Sequence, residues 1–253
     1  MTFVVCRIIG NELLPRDEAG MKLAALRYII SQEAGINRIW IINHLHEPHY
    51  RECVLELLHQ GGQRYHEIRF DHAFYRSLTT RRDKIRYAIN INGARNMAIE
   101  LARREHDFVA CIDQDCFFTA RLWRETIGFI TCDQLTSPRR QYYGLMMKRL
   151  VDFETAPVES LPNDEPQLVF RRDAPSIFDP ELPFGCGDKM TLLHRLGYGP
   201  SPDYALSGDL CRTAGCVYHL RTGSVDAESQ LSHRICSRAL SIELLLRRLD
   251  SRC

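Results

Sequence analysis

Apolar positions alternate with polar ones, or run unbroken, in short stretches separated by longer segments of helical period. Phe3–Ile9 reads as a strand, followed by a loop at Gly10, Asn11 and Glu12. Residues 17–33 read as a helix, with Leu23, Leu26, Tyr28, Ile29 and Ile30 on its apolar face. Arg38–Asn43 is a second strand, Pro48–His59 a helix closed by Gly61 and Gly62, and Tyr65–Phe70 a third strand. Residues 83–104 are helical, and Asn92 and Gly93 look like a helix start within them. Phe108–Ile112 is apolar on both alternating faces, as a strand covered on both sides must be. Strands alternating with helices in this way predict a mostly parallel sheet with helices on both faces.

Beyond residue 115 the pattern changes. Phe118–Ile130 reads as a helix. Tyr142–Phe153 and Gln167–Arg171 read as antiparallel strands, with a polar loop over 154–166 between them. Residues 187–196 are helical, 197–209 form a loop, Cys216–Leu220 is a short strand and 226–249 a closing helix. The pattern divides into a first half, 1–120, that looks like a nucleotide-binding unit and a second, 121–253, that looks like an acceptor-binding unit packed onto it, within one continuous domain.

The 253 residues suffice for a substantial core, and a net charge of +1 gives no reason to expect a nucleic-acid partner. Four of the 33 basic residues are lysines (Lys22, Lys84, Lys148, Lys189); arginine suits bidentate phosphate contacts. The ten cysteines lie mostly in apolar stretches without a Cys-x-x-Cys pair, and neither a signal peptide nor a membrane span is evident. These features lead us to expect a reduced, cytoplasmic protein. The closing helix carries leucines and arginines together. We read it as a cap on the core, with peripheral contact to the inner membrane face as the sharper alternative.

The stretch richest in chemistry is Phe108–Phe118, where the apolar run ends in Asp113 and Asp115. A strand ending in Asp-x-Asp delivers carboxylates to the carboxyl edge of a sheet, where open α/β folds bind ligands. Hard oxygen ligands there suit Mg²⁺ or Mn²⁺ bridging a diphosphate. Asn90–Ile99 precedes it by one helix, and Arg95 and Asn96 near that helix's positive end offer an anion or ribose site.

Asn-x-x-Arg-Asn-x-x-Ile on a helix, then a strand ending in Asp-x-Asp, resembles the GT-A class of nucleotide-sugar glycosyltransferases, closest to the bacterial family 2 enzymes. Cys6–Glu12 resembles that family's first strand and its turn toward base and ribose. The similarity covers roughly residues 3–120; it departs from the family in Leu13–Asp17 and in the polar stretch 71–86. It implies a GT-A-like fold, with a mostly parallel Rossmann-type sheet and a smaller antiparallel acceptor-side sheet. It also implies that Arg7, Asn11, Arg95, Asp113 and Arg221 hold the nucleotide, that Asp113, Asp115 and His219 bind Mn²⁺ or Mg²⁺, and that Asp188 is the general base.

In physical terms, a carboxylate at the sheet edge can take the proton of an attacking hydroxyl. A neutral imidazole favours Mn²⁺ over Mg²⁺. An arginine such as Arg221 can neutralise a departing diphosphate. The bland counterparts are an N-cap at Asp188 and a structural histidine at His219. His44, His46 and His49 we read as loop and surface residues.

The function implied is metal-dependent, inverting transfer of a sugar from a nucleoside diphosphate donor, a UDP-sugar for choice, to a hydroxyl of a glycan or lipid-linked acceptor in bacterial surface polysaccharide synthesis. The alternatives are a sugar-phosphate nucleotidyltransferase, disfavoured because Gly10–Glu12 is a poor glycine-rich phosphate loop, and a non-catalytic nucleotide-binding protein of the same fold.

Overall fold

The computed structural model describes residues 1–150, 166–182, 184, 188–197, 211–220, 222–223 and 231–251. Eight strands form one sheet in the order β3-β2-β1-β4-β7-β6-β8-β5. They are β1 (Phe3–Ile9), β2 (Arg38–Asn43), β3 (Tyr65–Ile68), β4 (Phe108–Ile112), β5 (Cys116–Phe117), β6 (Tyr142–Leu150), β7 (Gln167–Arg171) and β8 (Cys211–Leu220). The helices are α1 (Met21–Gln32), α2 (Pro48–Gln60), α3 (His72–Ser77), α4 (Arg81–Ile89), α5 (Ile91–Ala102), α6 (Ala120–Thr136), α7 (Asp188–Arg195) and α8 (Leu231–Ser251). Among the described residues no helix is long and apolar enough to cross a membrane.

The first four strands are mutually parallel; the near-continuous apolar runs of β1, β2 and β4 suit strands covered on both faces. β1 alternates between two cores. Val4, Cys6 and Ile8 pack with Ala94, Ala98 and Ile99 of α5, Leu192 and Leu193 of α7, and Leu196 just after it. On the other face, Val5 lies in a cluster with Phe118 and Ile130, while Ile9 lies with Ala25, Leu26 and Ile29 of α1. The chain runs outward from β1 through β2 to β3, then returns over the sheet to place β4 on β1's other side. The strand order thus reverses between β1 and β4, and their carboxyl ends flank the crevice such a reversal opens.

The expected separate antiparallel sheet is instead a continuation of the main one. β7 pairs antiparallel with β4 and β6, whereas β6 and β8 run parallel. The two-residue β5, absent from the sequence reading, pairs antiparallel with β8 and closes that edge. The expected loops over 154–165 and 198–209, together with Arg221, lie outside the described residues.

Three helix boundaries shift for local reasons. α1 begins at Met21, not residue 17, because the Asp17 carboxylate accepts from Leu13 N at 2.7 Å and Lys22 Nζ at 2.7 Å, holding a turn that ends at a left-handed Gly20. The helix expected over 83–104 is two helices, broken at Asn90 with φ of 42°, a conformation that asparagine tolerates. Asn43 braces the break, donating to Ile89 O at 2.7 Å and accepting from Asn90 Nδ2 at 3.0 Å. Polar residues within 71–86 are helix caps: Asp71 accepts from Ala73 N and Phe74 N, and Thr80 from Asp83 N.

Arg7 is the one charged residue inside β1, and the structure corrects the expectation that it holds a nucleotide. Its guanidinium is buried between sheet and α1. It pairs with the fully buried Glu33, donates to Cys116 O at 3.0 Å and lies 5.2 Å over the Trp40 ring. Glu33 also accepts from Phe118 N at 2.8 Å, so the pair ties β1 and the end of α1 to the segment after Asp115. Removing Arg7 leaves the buried Glu33 with only the more distant Arg38, at 3.6 Å, as countercharge. Arg7→Met is therefore expected to cost about 3–5 kcal/mol of unfolding free energy in urea titrations. Adding Glu33→Gln should recover part of that loss. A single variant as stable as the parent would show that the pair carries no such burden.

Candidate functional site

β4 ends at Ile112, and Asp113, Gln114 and Asp115 make the turn into β5. The turn is closed by Cys116 N donating to Asp113 O at 3.0 Å and by Leu220 N donating to Asp115 O at 2.7 Å. The two carboxylates, one residue apart, enter different surroundings.

Asp113 is gripped from three sides. Arg95 of α5 donates to its Oδ1 at 2.7 Å. Lys189 of α7 and Gln167 of β7 each reach Oδ2 at 2.9 Å. Gln167 also accepts from Asp113 N at 3.1 Å. Arg95 is steadied by Asn92 Oδ1 at 3.1 Å and lies 5.0 Å over the Phe178 ring. Burial pushes the Asp113 carboxyl up, but Lys189 and then Arg95 outweigh it and hold the group well below its ordinary 3.8.

Asp115 meets residues of β8 and just beyond it. His219 Nε2 and Thr222 Oγ1 both lie 3.4 Å from its Oδ2. His219 is cross-strand from Cys116, so the β5–β8 register sets this approach. Burial raises the Asp115 carboxyl, and His219 more than reverses the shift. The structure therefore brings Asp115 and His219 together, and Arg95 and Asp113 together.

The remaining expected residues fall elsewhere. Asn11 spends its amide on the neighbouring loop, donating to His44 O at 2.8 Å and accepting from His46 N at 3.1 Å. Asn11, expected to hold the nucleotide, thus has its side chain engaged between β1 and the loop after β2. The structure corrects the reading of His44 and His46 as surface residues, since both are buried. His44 Nδ1 lies 2.7 Å from Tyr87 O, and burial lowers its pKa. Asn96 does not meet a ligand at the helix start: it clamps Phe178 through both main-chain groups, at 2.8 and 3.0 Å. Asp188 is the first residue of α7; its side chain, like Arg221, is outside what is described.

Two cations escaped the sequence reading. Lys189 follows Asp188 directly and is one of only four lysines, the signal that was available. Arg16 belongs to the β1–α1 loop, where it lies 5.7 Å over Phe184 and helps lower the Asp115 carboxyl. Its loop is pressed against the residues after β8: Glu18 N donates to Thr222 O at 3.0 Å, and a Cβ on Gly223 would stand 2.1 Å from Arg16 O.

Among the described residues no three His, Cys, Asp or Glu side chains cluster as a ready metal cage. The donor set nevertheless suits a divalent cation at one point. Asp115 supplies a lightly committed carboxylate and His219 an imidazole, an oxygen–nitrogen pair compatible with Mn²⁺. Asp113 is less available, because three donors already occupy its oxygens.

Two outcomes test this geometry. A carboxyl whose native pKa lies below its unfolded value stabilises the fold above the unfolded value, and that contribution is lost as pH falls through the native one. Urea unfolding of the parent should therefore weaken between roughly pH 5 and pH 2 more steeply than that of Asp113→Asn. Coincident slopes would show that the Lys189–Asp113–Arg95 contact does not form. Separately, Gly223→Ala should cost about 1–3 kcal/mol by overpacking against main chain, seen as a lowered melting temperature; an unchanged one would mean the loop yields freely.

No family model and no curated protein matches this sequence. Solved structures do match its fold. The structure of GalNAc-T7 with UDP, GalNAc and Mn²⁺ superposes with a TM-score of 0.51 at 11% identity, over 88% of this chain and 44% of that one. A mannosyltransferase from Pyrobaculum calidifontis, in complex with GDP-Man and Mn²⁺, gives 0.48 at 13% identity over 98% and 64%. A 4-diphosphocytidyl-2C-methyl-D-erythritol synthase from Anaerococcus prevotii gives 0.43 at 10% identity over 94% and 95%. The chain thus spans less than half of GalNAc-T7. At such identities the likeness concerns fold alone: an α/β, GT-A-like architecture on a mixed eight-stranded sheet.

Proposed function

We propose that this chain is a glycosyltransferase that takes a sugar from a nucleoside diphosphate and passes it to a hydroxyl acceptor. The observation that carries the reading is the pair of carboxylates at the reversal of strand order, one held by Arg95 and the other beside His219. A sugar diphosphate needs positive charge to enter such a site and to leave it as a diphosphate. In this reading residues 1–120 supply the donor side and 121–253 the acceptor side. A UDP-sugar donor for choice and a glycan or lipid-linked acceptor are part of the same proposal.

A divalent cation, Mn²⁺ in preference to Mg²⁺, would be held by Asp115 and His219. When bound it neutralises the departing diphosphate. The chain's own residues do the rest. Arg95 places fixed positive charge at the crevice. Asp188, whose backbone is carried to the same edge by Lys189, would take the acceptor proton. Arg221 follows directly on Leu220, which is bonded to Asp115 O, and would face the diphosphate.

The test is a thermal-shift panel of UDP, GDP, CDP and dTDP, each with and without Mn²⁺. A ligand of the native state at about 100 times its Kd adds roughly 2.7 kcal/mol, enough to raise the melting temperature by several degrees. One diphosphate is expected to stand out, with a further increment on adding Mn²⁺ that Asp115→Asn and His219→Ala abolish. Silence from all four would end the reading. Pyrophosphate release from a nucleoside triphosphate and a sugar phosphate would replace it with nucleotidyl transfer.

A further inference from the structure

Two cations flank the Asp17 carboxylate where the β1–α1 loop meets its helix, and their commitments differ. Lys22 Nζ is spent there, 2.7 Å from Asp17 Oδ2 and 2.7 Å from Asn11 O. Arg16 is not. The oxygen in ion-pair range, Asp17 Oδ1, stands 3.7 Å from its Nη1, beyond hydrogen-bond reach. Among the described residues no group accepts a hydrogen bond from this guanidinium, and the side chain is 31% exposed. It rests over the Phe184 ring at 5.7 Å. A guanidinium stacked on a ring keeps its five N–H donors for a ligand at its edge.

The main chain of Arg16 is as fixed as its side chain is open. Its N–H donates to Ser241 Oγ of α8 at 3.0 Å, and its carbonyl oxygen lies where a Cβ on Gly223 would stand 2.1 Å away. Two residues on, Glu18 N donates to Thr222 O at 3.0 Å, and Thr222 Oγ1 lies 3.4 Å from Asp115 Oδ2. The loop is therefore seated against the residues that border Asp115. The charge of Arg16 is felt at that carboxylate: burial raises its pKa, His219 reverses the shift, and Arg16 adds to the lowering. A fixed stem, an unsatisfied planar fork and a neighbouring carboxylate suited to a cation make a setting for a phosphate rather than for a structural ion pair.

We propose that Arg16 binds the diphosphate of the ligand through its guanidinium. This rests on the donor reading above and deepens it. It assigns a phosphate contact to the β1–α1 loop, whereas Arg7, within β1, is committed to Glu33. It also gives the close approach of Gly223 to this loop a purpose, since that approach sets where the arginine starts.

The test is isothermal titration of UDP, GDP, CDP and dTDP into the full chain in Mn²⁺. Each ligand-free variant is also melted, and its Mn²⁺ binding is followed by electron paramagnetic resonance. Arg16→Ala keeps the main-chain contacts and should melt within roughly 4 °C of the parent, the size of one exposed ring contact. It should keep the parent's Mn²⁺ signal and bind the diphosphate that the parent prefers at least about tenfold more weakly. Arg16→Lys, which retains the charge without the fork, should fall between the two. Arg27→Ala, at an exposed position of α1, should bind as the parent does. The proposal is overturned if Arg16→Ala binds the diphosphate as tightly as the parent, or if its weaker binding comes with loss of the Mn²⁺ signal. Either result leaves the donor reading standing, whereas a parent that binds none of the four diphosphates removes both. Should Arg16→Ala fail to fold, Arg16→Gln decides: affinity equal to the parent's overturns the proposal, and a tenfold loss with the Mn²⁺ signal kept supports it.

Discussion

One carboxylate holds four elements of this protein together. Asp113 ends β4, and its two oxygens bind α5 through Arg95, α7 through Lys189 and β7 through Gln167. A group so placed can stay ionised in a buried setting only because its countercharges arrive with it. Each element in turn is anchored elsewhere by apolar packing: α5 and α7 share one core with β1 and β4, and β7 enters it through Leu168 and Phe170. The apolar core sets where the helices lie, and the ionic contact sets how their polar ends meet the sheet edge.

The same logic runs on the opposite face of β1. The Arg7–Glu33 pair draws the start of β5 and the end of α1 to the strand, which fixes the exit of the turn that Asp113 begins. The Asp-x-Asp turn is thus clamped from below at both ends, and its hydrogen bonds to Leu220 and within the turn leave its main chain little freedom. A site that must hold a polyanion at fixed geometry benefits from such a frame, since the binding groups need not be ordered by the ligand.

What the sequence disclosed follows from what periodicity can carry. β1, β2, β4 and β7 match their expected bounds, since each is a short run set apart by a change in hydrophobic pattern. α1, α4 and α5 depart because the deciding groups were side chains acting on main chain at a distance. Asp17 reaching Leu13, and Asn43 bracing Asn90, leave no mark on hydrophobic period. β5 is two residues long and exists through its pairing with β8, a partner about a hundred residues away. At the site, the motif named the right turn but not the partners. Gln167 looked like an ordinary strand residue and Lys189 like part of a helix start, because their roles depend on β7 and α7 converging on β4. Arg7 differs for the converse reason: an arginine in a first strand suggests a ligand contact, and only the buried Glu33 shows where its charge is spent.

Asp113 and Asp115 show how little a motif fixes by itself. They are the same side chain, one residue apart, and strand geometry turns them toward different neighbours. One meets an ammonium and a guanidinium, the other an imidazole and a hydroxyl. Environment, not identity, divides the work between paired carboxylates. The carboxylate with two fixed cations has little left to offer a third, while the one with a neutral-capable partner retains its appetite for positive charge. Lys189 comes from α7 in the second half of the chain, so the surroundings of Asp113 are complete only once α7 has packed against the sheet.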